Sequence, residues 1–266
     1  MKIREFDALM VDRPTEGIFS LSRDVYLDQE LFELELEHIF EKTWLVLGHE
    51  SQLPNPHDFV TTFMGRHPVV IIRDEAGTLN GFINACAHRG AVLCRTQRGN
   101  KKFLVCPYHG WTYDSGGRNV DIKDLDSGGY PDSFTTQPHD LTRIARLESY
   151  KGFIFGALNP EVRSLRDHLG QAAVFIDLMA EQSPEGMEIL PGRSRYISQS
   201  NWKFQAENGV DGYHVTSVHA NYLGVVQRRM QLRKDQVKSI ARGDMGTMPS
   251  GAYDLGDGHT MLWGLV

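Results

Sequence analysis

Residues 86–111 read CAHRGAVLCRTQRGNKKFLVCPYHGW. All three cysteines of the chain, Cys86, Cys94 and Cys106, fall inside this stretch. Two of them are closely followed by a histidine: Cys86-x-His88, then seventeen residues, then Cys106-x-x-His109. A lone free cysteine is most often a small core residue. Two cysteine–histidine pairs within 24 residues are a metal-ligand pattern, because thiolate and imidazole are soft or borderline donors that suit iron and zinc.

The rest of the chain bounds what such a site could serve. Its 266 residues allow one large domain or two ordinary ones, and 41% hydrophobic with 23% charged residues describes a globular chain with real cores. A formal net charge of −6 argues mildly against nucleic acid or an anionic membrane as partner. The start, MKIREFDALMVDRPTEG, has no apolar run of signal-peptide or membrane-spanning length, so the expected location is the cytoplasm. In that reducing compartment, three cysteines are poor disulfide material and better suited to metal binding or catalysis.

Patterning divides the chain. Residues 1–23 are expected to be an irregular arm, and DQELFELELEHIFEK, from Asp28 to Lys42, an amphipathic helix with Asp28 as N-cap. Between 58 and 160 the runs DFVTTFMG, HPVVIIRD, LNGFINA, KKFLVC and KGFIFGAL alternate with turn material such as DEAGT and DSGG. They predict a compact antiparallel β domain with both Cys/His elements on loops. After Pro160, EVRSLRDHLGQAAVFIDLMAEQ predicts one helix of about twenty residues. MEILPG and SRYISQS are strand-like, and NWKFQAENGVDGYHVTSVHANYL predicts a further helix.

The order of the first donor set separates two metals. A Cys₂His₂ zinc finger groups its cysteines first and its histidines second. Here each loop supplies one of each, which suits a Rieske [2Fe-2S] centre with two cysteines on one iron and two histidines on the other. With Arg89, Gly90, Pro107, Gly110 and Trp111, the stretch resembles the motif C-x-H-R-G…C-x-x-H-G-W of Rieske ring-hydroxylating oxygenases. The glycines would let backbone N–H groups approach cluster sulfurs, and Trp111 would cover the cluster base. Cys94 falls outside the pattern and is expected to be a packed core thiol.

A second constellation follows in AENGVDGYHVTSVH, which holds Asn208, Asp211, His214 and His219. Two histidines near one end of a helix can be two legs of a 2-His-1-carboxylate iron site, although a helical histidine is more often simply hydrogen-bonded. Five residues of regular helix would set His214 and His219 about 140° apart, so they converge only if the helix is distorted, for example by a π-turn. Asp211 and His214 are three apart and share a face, so Asp211 could fix the tautomer of His214.

Taken together, the Rieske motif followed by N-G-V-D-G-Y-H-x₄-H resembles the large (α) subunit of Rieske non-haem iron oxygenases over almost the whole chain. NWKFQAENGVDGYHV, LFELELEHIFEKTW and GNKKFLVCPYHGWTY are most similar to the benzoate, toluate, anthranilate and 2-halobenzoate 1,2-dioxygenase group. The resemblance implies an α+β fold: an antiparallel β Rieske [2Fe-2S] domain, then the first part of an α+β catalytic domain of helix-grip, antiparallel-sheet type. The implied divisions are an N-terminal arm and helix packed on the catalytic domain (1–45), the Rieske domain (46–158) and an incomplete mononuclear-iron domain (159–266). Implied cofactors are the [2Fe-2S] cluster on Cys86, His88, Cys106 and His109, and a mononuclear Fe(II) on His214 and His219. Asp211 and Asn208 are the implied catalytic-site residues, with Asp211 linking His214 to the His109 equivalent of a neighbouring subunit. Implied partners are a small β subunit and further α subunits as α₃β₃, an NADH-dependent reductase, O₂ and an aromatic acid, with no nucleic acid and no membrane. The expected reaction is cis-dihydroxylation of an aromatic carboxylate.

One departure from the pattern stands out. The family's third iron ligand is a carboxylate well downstream of the second histidine, and only 47 residues follow His219. The acids there are Asp235, Asp244, Asp254 and Asp257, none in a family-like context. The chain is therefore expected to be an N-terminal portion of a longer α subunit without its third ligand. The alternatives are a Rieske electron carrier without oxygenase activity and a zinc-binding structural module. Arg228, Arg229 and Arg233 could meet a substrate carboxylate, but a solvated basic face is the expected role.

Overall fold

The computed structural model describes residues 8–192, 194–232 and 249–264. The N-terminal segment is more ordered than its sequence suggests. Strands β1 (Met10–Arg13) and β2 (Ile18–Leu21) form an antiparallel hairpin, with Met10 opposite Leu21 and Arg13 opposite Ile18. A tight turn over Pro14–Glu16 closes it, and Gly17 supplies the left-handed residue (φ 66°) that ends the turn. Both strands are exposed along their length, so they show no hydrophobic alternation to betray them. After α1 (Asp24–Leu27), Asp28 caps α2 (Gln29–Glu35) by accepting the Leu31 N–H at 2.7 Å. The expected single helix ends early in a wide turn over Leu36–Phe40, where Glu41 N–H reaches back to the Leu36 carbonyl at 3.0 Å.

Nine strands and a one-turn helix lie between residues 58 and 157, after strand β3 (Leu45–His49). They are β4 (Asp58–Met64), β5 (His67–Arg73), β6 (Leu79–Ile83), β7 (Arg98–Asn100), β8 (Phe103–Val105), β9 (Thr112–Asp114) and β10 (Asn119–Asp121), then helix α3 (Asp132–Thr135), then β11 (Arg146–Tyr150) and β12 (Phe153–Ala157). All pairings are antiparallel, in three sheets ordered β6-β5-β4-β7, β10-β9-β8 and β11-β12-β3. Strand β5 explains the arrangement. Its four apolar residues Val69–Ile72 are all fully buried, which a strand achieves only when both faces are covered. Val70 and Ile72 join Phe59, Phe82, Leu104 and Tyr113 beneath the Cys/His loops. Val69 and Ile71 point the other way, into a core with Leu47, Leu53, Met64 and Ile154.

Beyond the β domain, the expected twenty-residue helix is two: α4 (Leu165–Leu169) and α5 (Ala172–Ala180). Ser164 caps α4 by accepting the Asp167 N–H at 3.1 Å, and Gly170 (φ 47°, ψ −123°) breaks the run. Leu165, Leu169 and Ala173 bury against Trp44, Phe155 and Ala157 in a third core. The expected strands at 187–192 and 194–200 do not form among the described residues, since no neighbouring strand pairs with either. The segment around the second histidine pair is three helices: α6 (Trp202–Asn208), α7 (Val215–Val218) and α8 (Ala220–Leu232). Strands β13 (Ser250–Gly256) and β14 (His259–Gly264) form an antiparallel hairpin. Among the described residues, no helix is long and apolar enough to cross a membrane.

The N-terminal arm binds both halves of the chain. Glu41 accepts from Arg66 Nε and Nη2, each at 2.8 Å, tying the arm to the β4–β5 turn. Glu35 accepts from Trp202 Nε1 at 2.7 Å and pairs with Lys203, while Tyr26 stacks on Phe204 at 4.5 Å. Thus α6, which leads into the second histidine pair, is gripped from its side by the arm.

The Arg66 contact holds the Glu41 carboxyl at a pKa of about 2, below its ordinary 4.5. A depressed carboxylate stabilises the fold above its unfolded pKa, and that contribution is lost as pH falls through the folded value. Arg66→Met should therefore lower stability to urea at pH 7, and the gap from the native chain should shrink as pH falls from 4.5 to about 2. A gap that stays constant over that window would contradict this role for the pair.

Candidate functional site: two Cys–His loops and a second histidine pair

The first loop connects β6 to β7 and carries Cys86 and His88; the second connects β8 to β9 and carries Cys106 and His109. Identical main-chain bonds close both. Cys86 N–H donates to the Ala91 carbonyl and Gly90 N–H to the Cys86 carbonyl, each at 2.8 Å. Cys106 N–H donates to the Trp111 carbonyl at 2.8 Å and Gly110 N–H to the Cys106 carbonyl at 3.0 Å. Each closure needs a left-handed residue four places after the cysteine, and Gly90 (φ 74°) and Gly110 (φ 76°) supply it. A side chain there would be strained by about 1 kcal/mol or more.

This shared geometry sorts the donors by element. The thiols of Cys86 and Cys106 are buried, whereas His88 is exposed and His109 half-buried, with ring centroids 4.8 Å apart. Burial raises the Cys106 thiol, but N–H groups of Tyr108 and His109 and the neighbouring Cys86 thiol outweigh it, so its pKa falls. Burial, then His109 and Arg89, lower the pKa of His88 and favour the neutral imidazole that a metal requires. Trp111 stacks on His88 at 4.9 Å and 12°. Arg89 Nη2 lies 3.4 Å from His109 Nε2, and its guanidinium sits over the Tyr108 ring.

Two supporting residues escape sequence reasoning. Tyr113 is fully buried, with its hydroxyl 3.2 Å from Cys86 Sγ and accepting the Ala87 N–H at 3.1 Å. Its signal is its place two residues after Trp111 on a strand, which turns both side chains to one face. Asn84 brackets Cys94, donating to its carbonyl at 2.8 Å and accepting its N–H at 2.9 Å. Cys94 itself is sealed in the core, and burial pushes its thiol up to about 11, the state of an inert packed cysteine.

The donor chemistry discriminates between metals. A structural zinc needs four donors around one point. Two buried thiols and two outer imidazoles, one of each from either loop, is the division that a two-iron Rieske centre requires. The residues present fit that group.

The second histidine pair also comes together, by a different route from the anticipated π-turn. Helix α7 is only four residues long, with His214 before it and His219 (φ −97°, ψ 14°) at its junction with α8. Between them the backbone makes a single α turn, with Val218 N–H to the His214 carbonyl at 2.8 Å and His219 N–H to the Val215 carbonyl at 3.1 Å, and the helical path is interrupted at His219. Their Nε2 atoms stand 3.3 Å apart, close to the separation of about 3 Å for two ligands at right angles on bonds of roughly 2.1 Å. Asp211 Oδ1 accepts the Tyr213 N–H at 2.7 Å, and Oδ2 lies 3.1 Å from His214 Nδ1. These two contacts, the Tyr213 N–H foremost, lower the Asp211 pKa. Asn208 is the last residue of α6, exposed, and outside this hydrogen-bond set.

No carboxylate completes the pair among the described residues. Asp254 accepts from Gly256 N–H within its own hairpin, and Asp257 pairs with Arg163 at 2.7 Å against α4. Asp235, Asp244 and Arg233 lie outside the described residues. Arg228 and Arg229 are exposed on α8, as a solvated basic face would be.

Comparison with known proteins sets these sites in a family context. Residues 43–148 match the family described as Rieske [2Fe-2S] domain, and residues 187–261 the one described as ring hydroxylating alpha subunit (catalytic domain). The second match disfavours a bare electron carrier. The chain is 45% identical over 259 residues to the toluate 1,2-dioxygenase subunit alpha of Pseudomonas putida, covering 97% of this chain and 57% of the relative. It is 42% identical to the 2-halobenzoate 1,2-dioxygenase large subunit of Burkholderia cepacia and 43% to the anthranilate 1,2-dioxygenase large subunit of Acinetobacter baylyi. Those matches cover 94% of this chain in both cases, and 54% and 55% of the relatives. Naphthalene 1,2-dioxygenase from Rhodococcus sp. bound to indole superposes with a TM-score of 0.67 at 36% identity, over 74% of this chain and 45% of that one. The chain spans about half the length of the relatives it matches.

Asn84→Ala would strand the buried N–H and C=O of Cys94. The expected loss is about 2 kcal/mol or more in urea unfolding. A midpoint equal to that of the native chain would show that Asn84 does not hold the first loop.

Proposed function

The chain belongs to the Rieske-type ring-hydroxylating α subunits, and on that premise we propose that it relays electrons to, and helps form, the O₂-activating site of a terminal oxygenase acting on an aromatic carboxylate of the benzoate or anthranilate type. The supporting observation is the pair of identically closed loops that sets two buried thiols opposite two outer imidazoles. In this reading Cys86 and Cys106 hold one iron of the [2Fe-2S] cluster and His88 and His109 the other. His214 and His219 hold the mononuclear Fe(II). The division is an arm (1–45), a Rieske domain (46–158) and a catalytic portion (159–266). When bound, the cluster supplies single electrons and the mononuclear iron activates O₂ for cis-dihydroxylation.

The chain's own residues prepare these sites. With Asp211 Oδ2 accepting a proton-bearing Nδ1, His214 is fixed in the tautomer whose Nε2 lone pair points toward His219. The Tyr213 N–H holds Asp211 in place by its other oxygen. Asp211 also stands exposed, available to a neighbouring subunit's imidazole, and Asn208 closes the helix just before it. Tyr113 and Trp111 restrain Cys86 and His88 from beneath. The relatives are named as alpha or large subunits, which supports partners in the form of a small β subunit, further α subunits in an α₃β₃ assembly and an NADH-dependent reductase.

Metal analysis and EPR of anaerobically purified, reduced protein test the reading. Cys86→Ser should abolish the visible spectrum and EPR signal, while Cys94→Ser should leave both. Bleaching by Cys94→Ser alone would overturn the ligand assignment. Asp211→Asn in the complete α subunit, assayed with the β subunit and reductase, should retain both metals and lower coupled product formation about tenfold to a hundredfold. Near-native turnover in that variant would remove Asp211 from the route.

A further inference from the structure

Helix α6 leads into the turn that holds Asp211 and His214, yet it has little of its own to fix it. It is seven residues long and buries no side chain. A helix that short is marginal unless tertiary contacts hold it. Among the described residues, every hydrogen bond, ion pair and ring contact that residues 201–210 make outside that stretch goes to the N-terminal arm. Asn201 Nδ2 donates to the Tyr26 carbonyl at 3.3 Å where the helix begins. The Tyr26 hydroxyl donates to Glu207 Oε1 at 2.8 Å where it ends. Phe40, at the end of the wide turn, meets the Trp202 ring edge-on at 5.0 Å.

Glu35 stands at the centre of this grip. One carboxylate oxygen accepts from Trp202 Nε1 at 2.7 Å and the other from Lys203 Nζ, so a single side chain holds two consecutive residues of α6. The Glu35 and Lys203 side chains are only 11% and 18% exposed. Removing one partner of so dry a pair strands the other, unlike the loss of a surface ion pair.

A stapled fold would account for the pair by itself. It does not account for where the staple leads. Gly209 N–H donates to the Ala206 carbonyl at 3.1 Å and Val210 N–H to the Glu207 carbonyl at 3.0 Å, so the helical path continues to residue 210. Asp211 comes next. It is exposed, and its hydrogen bonds run only to Tyr213 and His214 of its own turn. Its place is therefore set by the helix before it. Resting on the reading that His214 and His219 hold Fe(II), we propose that Glu35 is a positioning residue for that site. By clamping Trp202 and Lys203 it sets Asp211 against His214, and through that contact it sets how firmly the two imidazoles hold the metal.

The test uses the complete α subunit in its native assembly, purified anaerobically. A ferrous chelator draws off the mononuclear iron, with the cluster's visible absorbance as internal control. Glu35→Leu should speed iron release about tenfold and leave the cluster spectrum native. Glu35→Gln keeps an acceptor for Trp202 but strands Lys203, and should fall between the two. In the iron-free protein, hydrogen exchange over residues 209–214 should rise in the same order. Ile154→Val loosens a core remote from these contacts and should lower stability while changing neither readout. A native release rate in Glu35→Leu overturns the proposal. Faster release with native exchange over 209–214 overturns it too, because the effect would not pass through α6. If Ile154→Val raises both as much, the effect is general loosening and the proposal falls. If Glu35→Leu does not assemble, Glu35→Gln decides on the same two readouts. A native assembly that holds no mononuclear iron refutes the function proposed above for the histidine pair, whereas unchanged exchange in the variants refutes the clamp alone.

Discussion

Two main-chain hydrogen bonds, repeated in two loops, fix where every donor of the first site can stand. The cysteine N–H and carbonyl are both consumed in the closure, so each sulfur is held at the root of its loop, inside the β domain. The histidines, two and three residues further on, are carried to the tip. Gly90 and Gly110 make the closures possible because each bond pattern needs a left-handed residue. The result is a site with a dry thiol side and a wet imidazole side.

Such loops need a rigid floor, and β5 provides it. Its Val70 and Ile72 support the core that contains Cys86, Cys94 and Cys106, while Val69 and Ile71 anchor the same strand to the opposite core. The second histidine pair rests on a different support. Helix α6 delivers the turn containing Asp211, and α6 is gripped by Glu35 and Tyr26 of the N-terminal arm. The arm also holds Arg66 through Glu41, so one short segment touches both parts of the chain.

How much of this was legible in the sequence depends on the range of the determining interaction. The Cys/His loops were readable because their spacing is local and their ligand chemistry is specific. The β domain was readable because its strands bury apolar residues between turn-forming stretches. The hairpin at 10–21 was not, because both its faces are exposed and no alternation marks it. Apolar periodicity runs across Gly170, so two helices looked like one until the backbone at that glycine was known. The convergence of His214 and His219 was anticipated only as a distorted helix, since the break around α7 leaves no periodic signature. Contacts such as Glu35 to Trp202 join residues far apart in sequence, and no local pattern announces them.

The central claim is that the two thiols and the two imidazoles serve different irons of one cluster. Pulsed EPR on the reduced protein, with histidine labelled by ¹⁵N, addresses it most directly. The account predicts that the unpaired electron couples to two imidazole nitrogens and that both couplings change on labelling. An iron–sulfur signal with no histidine nitrogen coupling, or with coupling to one only, would contradict it.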